Sequence, residues 1–180
     1  MSLIAGNLAV VQRLLDGKQL AWGVIAGAAA HLYGNRRPIQ DVDLIVTSGA
    51  LSTVVQLLQG NGKAVQFDGQ RIIWRGIKIF DDLTIRRDGK VFPLTLDAPM
   101  QAHLRKLSLL GAPVSVIAPE DVVIHKLLLD RGSAFGKYDQ SDVEGILRRQ
   151  TLDVAYLNDR LGLMRAEHLQ DRLRQLGIAV

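Results

Sequence analysis

The stretch IQDVDLIV, residues 39–46, reads as an apolar strand, yet it carries Asp41 and Asp43 one residue apart near its start. Alternate residues on a strand share a face, and at about 3.3 Å per residue their Cα atoms lie roughly 6.6 Å apart, so the two carboxylates can converge on one point. At about 5 Å and an effective dielectric near 20, such charges repel by roughly 3 kcal/mol. A partly buried pair therefore needs a proton, a cationic partner or a metal ion. Mg²⁺, which takes carboxylate and phosphate oxygens, meets that need directly. Taken alone, the DxD pattern equally describes a strand whose Asp41 caps its start and whose Asp43 faces solvent.

The segment upstream narrows the choice. LAWGVIAG reads as a buried strand that runs into Gly27, and the alanine-rich GAAAHLYG that follows, bounded by glycines, favours a short helix. Backbone amides at a helix N-terminus bind phosphate oxygens, and glycine lets the anion approach closely. Gly27 and Ala28 head this helix. A phosphate cradle beside a carboxylate pair is the pattern of a nucleotide site, and Arg36 and Arg37, just before the DxD strand, could add charge-assisted bonds to phosphates.

The remaining pattern divides the chain into a mixed αβ part, residues 1–118, and a helical part, residues 119–180. Residues 3–16 have the apolar spacing of an amphipathic helix, and GALSTVVQLLQGNG closes as another. AVQFD, RIIWRG and IKIFDDLTI are β-rich runs separated by Gly69 and Gly76, which predicts antiparallel neighbours joined by tight turns. RRDGK is a further turn, and LSLLGAPVSVI suggests a hairpin around Gly111, although residues 97–111 otherwise show no clear period. PEDVVIHKLLLDRG begins with proline and acids and ends at glycine, as a capped helix does. Helical patterns follow near 139–149, 151–161 and 165–176.

At 180 residues the chain can bury a full core, and its net charge of +4 leaves room for an anionic partner without forming a dense basic patch. With no cysteine, disulfides, thiolate metal sites and a cysteine nucleophile are excluded, so a catalytic metal would take oxygen or imidazole ligands. The four histidines, His31, His103, His125 and His168, lack metal-ligand spacing. No Walker A, dinucleotide or nucleophile-elbow pattern occurs. No apolar run reaches the length of a membrane span, so the expectation is a cytoplasmic protein without a membrane partner.

The order of Gly27, Ala29, Gly34, Arg37, Asp41 and Asp43 with its apolar tail resembles the DNA polymerase β-like nucleotidyltransferase superfamily. Many small members read GGxA, then Gly, then Arg, Thr and DhDhhh. The resemblance covers about residues 20–50 and departs from the pattern at Ala26, where the first glycine is usual, and at Ile39, where threonine is common. It implies an α+β nucleotidyltransferase fold, with a mixed β-sheet flanked by helices and a small helical C-terminal region packed on the core. It also implies a third carboxylate from a later strand. Both Asp81 and Asp82 are available, and Asp82 shares a face with Lys78 and Phe80 where Asp81 shares one with Ile77 and Ile79. The segment from Pro119 to Val143 resembles the helical part of members grouped with abortive-infection and antitoxin proteins, with Lys126, Lys137, Asp139 and Asp142 at the matching positions.

The implied activity is two-metal transfer of a nucleoside monophosphate from an NTP to an acceptor hydroxyl on RNA or tRNA, protein or a small molecule. Asp41, Asp43 and Asp82 would hold Mg²⁺ or Mn²⁺, and Gly27, Ala28, Arg36, Arg37 and Lys126 would face the nucleotide. The alternative is a catalytically weak or inactive module of the same fold, antitoxin-like, with an oligomeric or protein partner. A glycosyltransferase using DxD for a nucleotide sugar fits less well, because the glycine turn lies too close upstream.

Overall fold

The computed structural model describes residues 3–180. Helix α1 (Leu3–Gly17) buries Leu8, Val11 and Leu15 on one face. Strand β1 (Trp22–Val24) leads through Ile25 into α2 (Ala26–Tyr33), and β2 (Val42–Val46) returns before α3 (Leu51–Gly60). Strands β3 (Gln66–Phe67), β4 (Arg71–Trp74) and β5 (Ile77–Phe80) follow, then the separate hairpin β6 (Ile85–Arg87) and β7 (Lys90–Phe92). A short helix, α4 (Ala98–Ala102), precedes β8 (Arg105–Leu109) and β9 (Ala112–Val116). The rest is helical: α5 (Pro119–Leu129), α6 (Asp139–Leu147), α7 (Val154–Leu163) and α8 (Gln170–Gln175), with 3-10 turns at Ser133–Phe135 and Glu167–Leu169.

The fold is α+β. Seven strands form one mixed sheet in the order β3-β4-β5-β2-β1-β9-β8. Strand β2 lies at its centre, antiparallel to β1 and parallel to β5, and β1 is parallel to β9. Central strands are covered on both faces, which is why Val42, Leu44, Ile45 and Val46 are all buried and the strand does not alternate. Asp41 immediately precedes this strand and Asp43 is its one partly exposed residue.

Three hairpins turn on Arg75-Gly76, Asp88-Gly89 and Leu110-Gly111, each with both residues at positive φ. This is the type I′ geometry whose twist matches the flanking strands, and glycine at the second position removes half of its steric cost. The β-run LAWGVIAG is shorter than its composition suggests: only Trp22–Val24 pair in the sheet, because the chain must turn into α2. The ambiguous stretch 97–111 resolves into α4, N-capped by the Asp97 carboxylate, which accepts from the Met100 amide at 2.9 Å, and β8.

The helical part packs through buried polar groups as well as apolar ones. Arg160 on α7 is 1% exposed and donates to Asp121 on α5 at 2.7 Å and to Asp97 at 2.6 Å, while the Tyr156 hydroxyl donates to Asp121 at 2.8 Å. At the other end, α6 crosses the end of α2 at two glycines. A Cβ on Gly34 would collide with the Gly145 carbonyl, and one on Gly145 would lie 2.8 Å from Asn35 Cβ. That close approach sets where the first turn of α6 sits over α2. Among the described residues no helix is long and apolar enough to cross a membrane.

Candidate functional site

The antiparallel register of β1 and β2 pairs Val24 with Leu44, and the Ile25 amide then donates to the Asp43 carbonyl at 3.0 Å. The first turn of α2 therefore starts beside Asp41 and Asp43. Its N-cap, Ile25, offers no side-chain bond, so the first backbone amides of the helix remain available to an external acceptor. Ala26, the first residue of this turn, has φ +54°, a left-handed conformation that costs a non-glycine residue about 1 kcal/mol. This is the conformation that glycine adopts without penalty, so alanine here carries the strain of the turn.

A cavity of about 240 Å³ lies over this turn. Gly27, Ala28, Asp41 and Asp43 line it, together with a cationic wall of Arg37, Lys126, Arg131 and Lys137 and the Tyr138 ring. The Arg37 guanidinium rests against Gly27, in space that a Cβ would occupy, and lies 5.1 Å from the Tyr138 ring centroid. His31 supports it indirectly by donating from Nδ1 to the Arg37 carbonyl at 2.8 Å. Arg36 lies outside the cavity and is exposed.

The parallel pairing of β2 with β5 sets Lys78 opposite Asp43, and the Lys78 ammonium forms an ion pair with the Asp41 carboxylate. That bond holds the lysine above its ordinary pKa. Burial, reinforced by Asp41, pushes the Asp43 carboxyl above the usual carboxylate range. Asp82 is on the cleft side, in a larger neighbouring cavity of about 600 Å³ that Asp43, Lys78, Phe80 and His125 also line. There it accepts from the Thr84 amide at 2.7 Å. Asp81 faces away and accepts from the Gly49 amide at 2.9 Å. Among the described residues no three His, Asp or Glu side chains are grouped so as to hold a metal ion. Two carboxylates with room for phosphate oxygens are a donor set that fits a single Mg²⁺. They do not form the three-carboxylate set the sequence led us to expect for two ions.

The cationic wall is built on buried ion pairs. Lys126, on α5, places its ammonium 2.9 Å from Asp139 and 2.7 Å from Asp142, with all three side chains at most 5% exposed. Arg131 donates to Asp139 at 2.9 Å, Arg37 to Asp142 at 3.3 Å and Asn35 to Asp142 at 2.6 Å. Burial opposes ionisation of Asp139, but the bonds from Arg131 and Lys126 outweigh it and hold its carboxyl below the usual range. Asp139 and Asp142 thus sit in the first turn of α6, where carboxylates also favour the helix dipole, and bind Lys126 into the wall. The sequence places these residues at positions matching a family segment, and the ion pairs among Lys126, Asp139 and Asp142 come from the packing of α5 on α6.

Against this fold the comparisons with known proteins are consistent. No family model matches the sequence, and no curated protein matches it. Among solved structures, the antibiotic-resistance factor ANT(2'')-Ia superposes with a TM-score of 0.56 at 13% identity, over 95% of this chain and 96% of that one. An antigenic nucleotidyltransferase-like protein from Paracoccidioides brasiliensis gives 0.52 at 21% identity, over 93% and 88%. The lincosamide antibiotic adenylyltransferase LnuA, in its lincomycin-bound form, gives 0.51 at 13% identity, over 79% and 96%. The chain has the DNA polymerase β-like nucleotidyltransferase fold.

Within this nucleotidyltransferase fold, five residues at the site do not follow from local sequence pattern. In the sequence Lys78 and Phe80 share a strand face with Asp82, but the register that brings Lys78 to Asp41 depends on a parallel pairing between distant strands. Arg131 and Tyr138 fall in a loop without periodicity. His125 lacks metal-ligand spacing in the sequence, yet its Nδ1 is buried with no hydrogen-bond partner, and burial together with Lys126 lowers its pKa to about 4.

Two predictions arise here. Lys126→Met leaves two buried carboxylates short of their shared cation and should lower stability by about 3 kcal/mol in urea denaturation, since breaking a buried pair costs about 3–5 kcal/mol. For His125, the folded pKa of about 4 lies below the ordinary value of 6.5, so the folded state resists protonation. Its contribution is fully present above pH 6.5 and is lost as pH falls from there toward 4. Relative to the wild type, His125→Leu should therefore gain stability as pH is lowered through that window, measured by urea midpoints at matched pH.

Proposed function

We propose that the cleft binds a nucleoside triphosphate and transfers its nucleoside monophosphate to an acceptor hydroxyl. The observation that carries this reading is the convergence at one cavity of an uncapped helix start at Gly27, a guanidinium laid against it and a carboxylate pair. Five cationic side chains line this cavity against three carboxylates, Asp41, Asp43 and Asp139, so the wall favours an anion. The antibiotic adenylyltransferase named among the structural neighbours is consistent with this chemistry.

In this reading the amides at Gly27 and Ala28 receive the β and γ phosphates, and Arg37, with Lys137 at the rim, neutralises their charge. Lys126 acts at one remove by fixing Asp142, which in turn orients Arg37. Asp41 and Asp43 would hold one divalent ion, whose bound chemistry is to polarise the α phosphate and neutralise charge in transfer. The acceptor oxygen forms a bond to the α phosphorus, the bond from that phosphorus to the bridging oxygen breaks, and pyrophosphate leaves. Asp82 is assigned the acceptor's proton, on the ground that it lines the larger cavity together with Asp43.

A second reading, a nucleotide-binding module without transfer, is favoured by two observations: the missing third carboxylate ligand and the Asp41–Lys78 ion pair. One experiment separates them. Calorimetry with each NTP and Mg²⁺ should show binding that Asp41→Asn with Asp43→Asn weakens by at least tenfold, or about 1.4 kcal/mol. Incubation with α-labelled NTP and total cellular RNA, protein and metabolites should then label one pool. Binding without any label supports the module; a folded protein with no NTP binding contradicts both readings.

A further inference from the structure

In this chain the carboxylate pair already has a cation. The β2–β5 register puts Lys78 beside Asp43, and its ammonium is bonded to Asp41. The lysine's strand neighbours Ile77 and Ile79 are buried on the opposite face, so Lys78 points toward the cavities rather than into the core. The pair is not sealed. The Lys78 side chain is 34% exposed and that of Asp41 44%, and Lys78 borders both the small cavity and the larger one. The lysine can therefore leave Asp41 without unfolding anything, and from the same strand position its flexible stem can follow a phosphate oxygen.

We propose that Lys78 is the resident cation of the carboxylate pair: it holds Asp41 against free divalent ions and yields only when the ion arrives with a triphosphate whose oxygens can receive the ammonium. The proposal rests on the reading of Asp41 and Asp43 as ligands of a divalent ion. An ion arriving alone must displace a charged hydrogen bond and then share the site with a nearby positive charge. An ion arriving with a triphosphate brings more negative charge than positive, so the displaced lysine gains a partner as it loses one. Lys78 is thereby a specificity residue that couples metal entry to nucleotide entry.

The test is titration of the nucleotide-free, full-length protein with MnCl₂, following free Mn²⁺ by electron paramagnetic resonance. The wild type should bind Mn²⁺ weakly, and Lys78→Met should bind it tighter by at least about tenfold. Lys78→Gln, which keeps a hydrogen-bond donor without the charge, should show the same gain and serves where the methionine variant is poorly folded by circular dichroism. Lys78→Arg, which keeps the charge, should show none. Adding Asp41→Asn to Lys78→Met should abolish the gain. Unchanged Mn²⁺ affinity in both neutral variants, or a gain that survives Asp41→Asn, overturns the proposal. Because no nucleotide is present, failure of NTP binding or transfer would leave this result intact, and an unchanged Mn²⁺ affinity would leave the nucleotide reading standing.

Discussion

One backbone hydrogen bond, from the Ile25 amide to the Asp43 carbonyl at 3.0 Å, ties the start of α2 to the strand that carries Asp43. It extends the β1–β2 pairing one step past Val24 and fixes the point at which the chain leaves the sheet and enters α2. With that point fixed, the free amides of the helix start and the carboxylates of β2 are bound to face the same space. The strained Ala26 lies at this point: the chain makes the turn into α2 in a left-handed conformation without a glycine to relieve it. A conformation kept at such a cost indicates that the surrounding packing over-determines it.

The charges around this junction divide into two kinds. Lys126, Asp139 and Asp142 are buried and satisfy one another, so they act as a rigid clamp of α6 on α5 and as a mount for Arg37 and Arg131. Arg37, Lys78 and Asp41 are each about a third or more exposed and can change partners. Helix α6 approaches the end of α2 closely because Gly34 and Gly145 leave room where side chains would collide.

Much of this was legible from residues alone, for reasons that differ by element. The helix α1, the hairpins around Gly76, Gly89 and Gly111, and the capped helix α5 each follow from local chemistry: apolar spacing, turn glycines, and proline with acids at a helix start. The nucleotidyltransferase fold was reached through the glycine turn, the short helix and DxD, whose spacing lies within one connected stretch. What escaped depends on contacts between distant segments. The parallel pairing of β2 with β5 decides that Lys78, not another carboxylate, stands by Asp41, and no local period encodes it. The same applies to residues 97–104, whose short helix is set by the Asp97 cap and its bond to Arg160. Between Asp81 and Asp82, strand parity points to Asp82 for the cleft; in the structure Asp82 lines the cavity shared with Asp43, and Asp81 accepts from the Gly49 amide.

The most direct measurement of the central claim is an amide chemical-shift titration of the ¹⁵N-labelled protein with a non-hydrolysable triphosphate analogue and Mg²⁺. If phosphates lie over the start of α2 beside the carboxylate pair, the amides of Ala26, Gly27 and Ala28 should move most, together with those of Asp41 and Asp43 and the Arg37 side-chain Nε–H. Saturable binding that leaves the first turn of α2 unshifted, with changes confined to another surface, would contradict it.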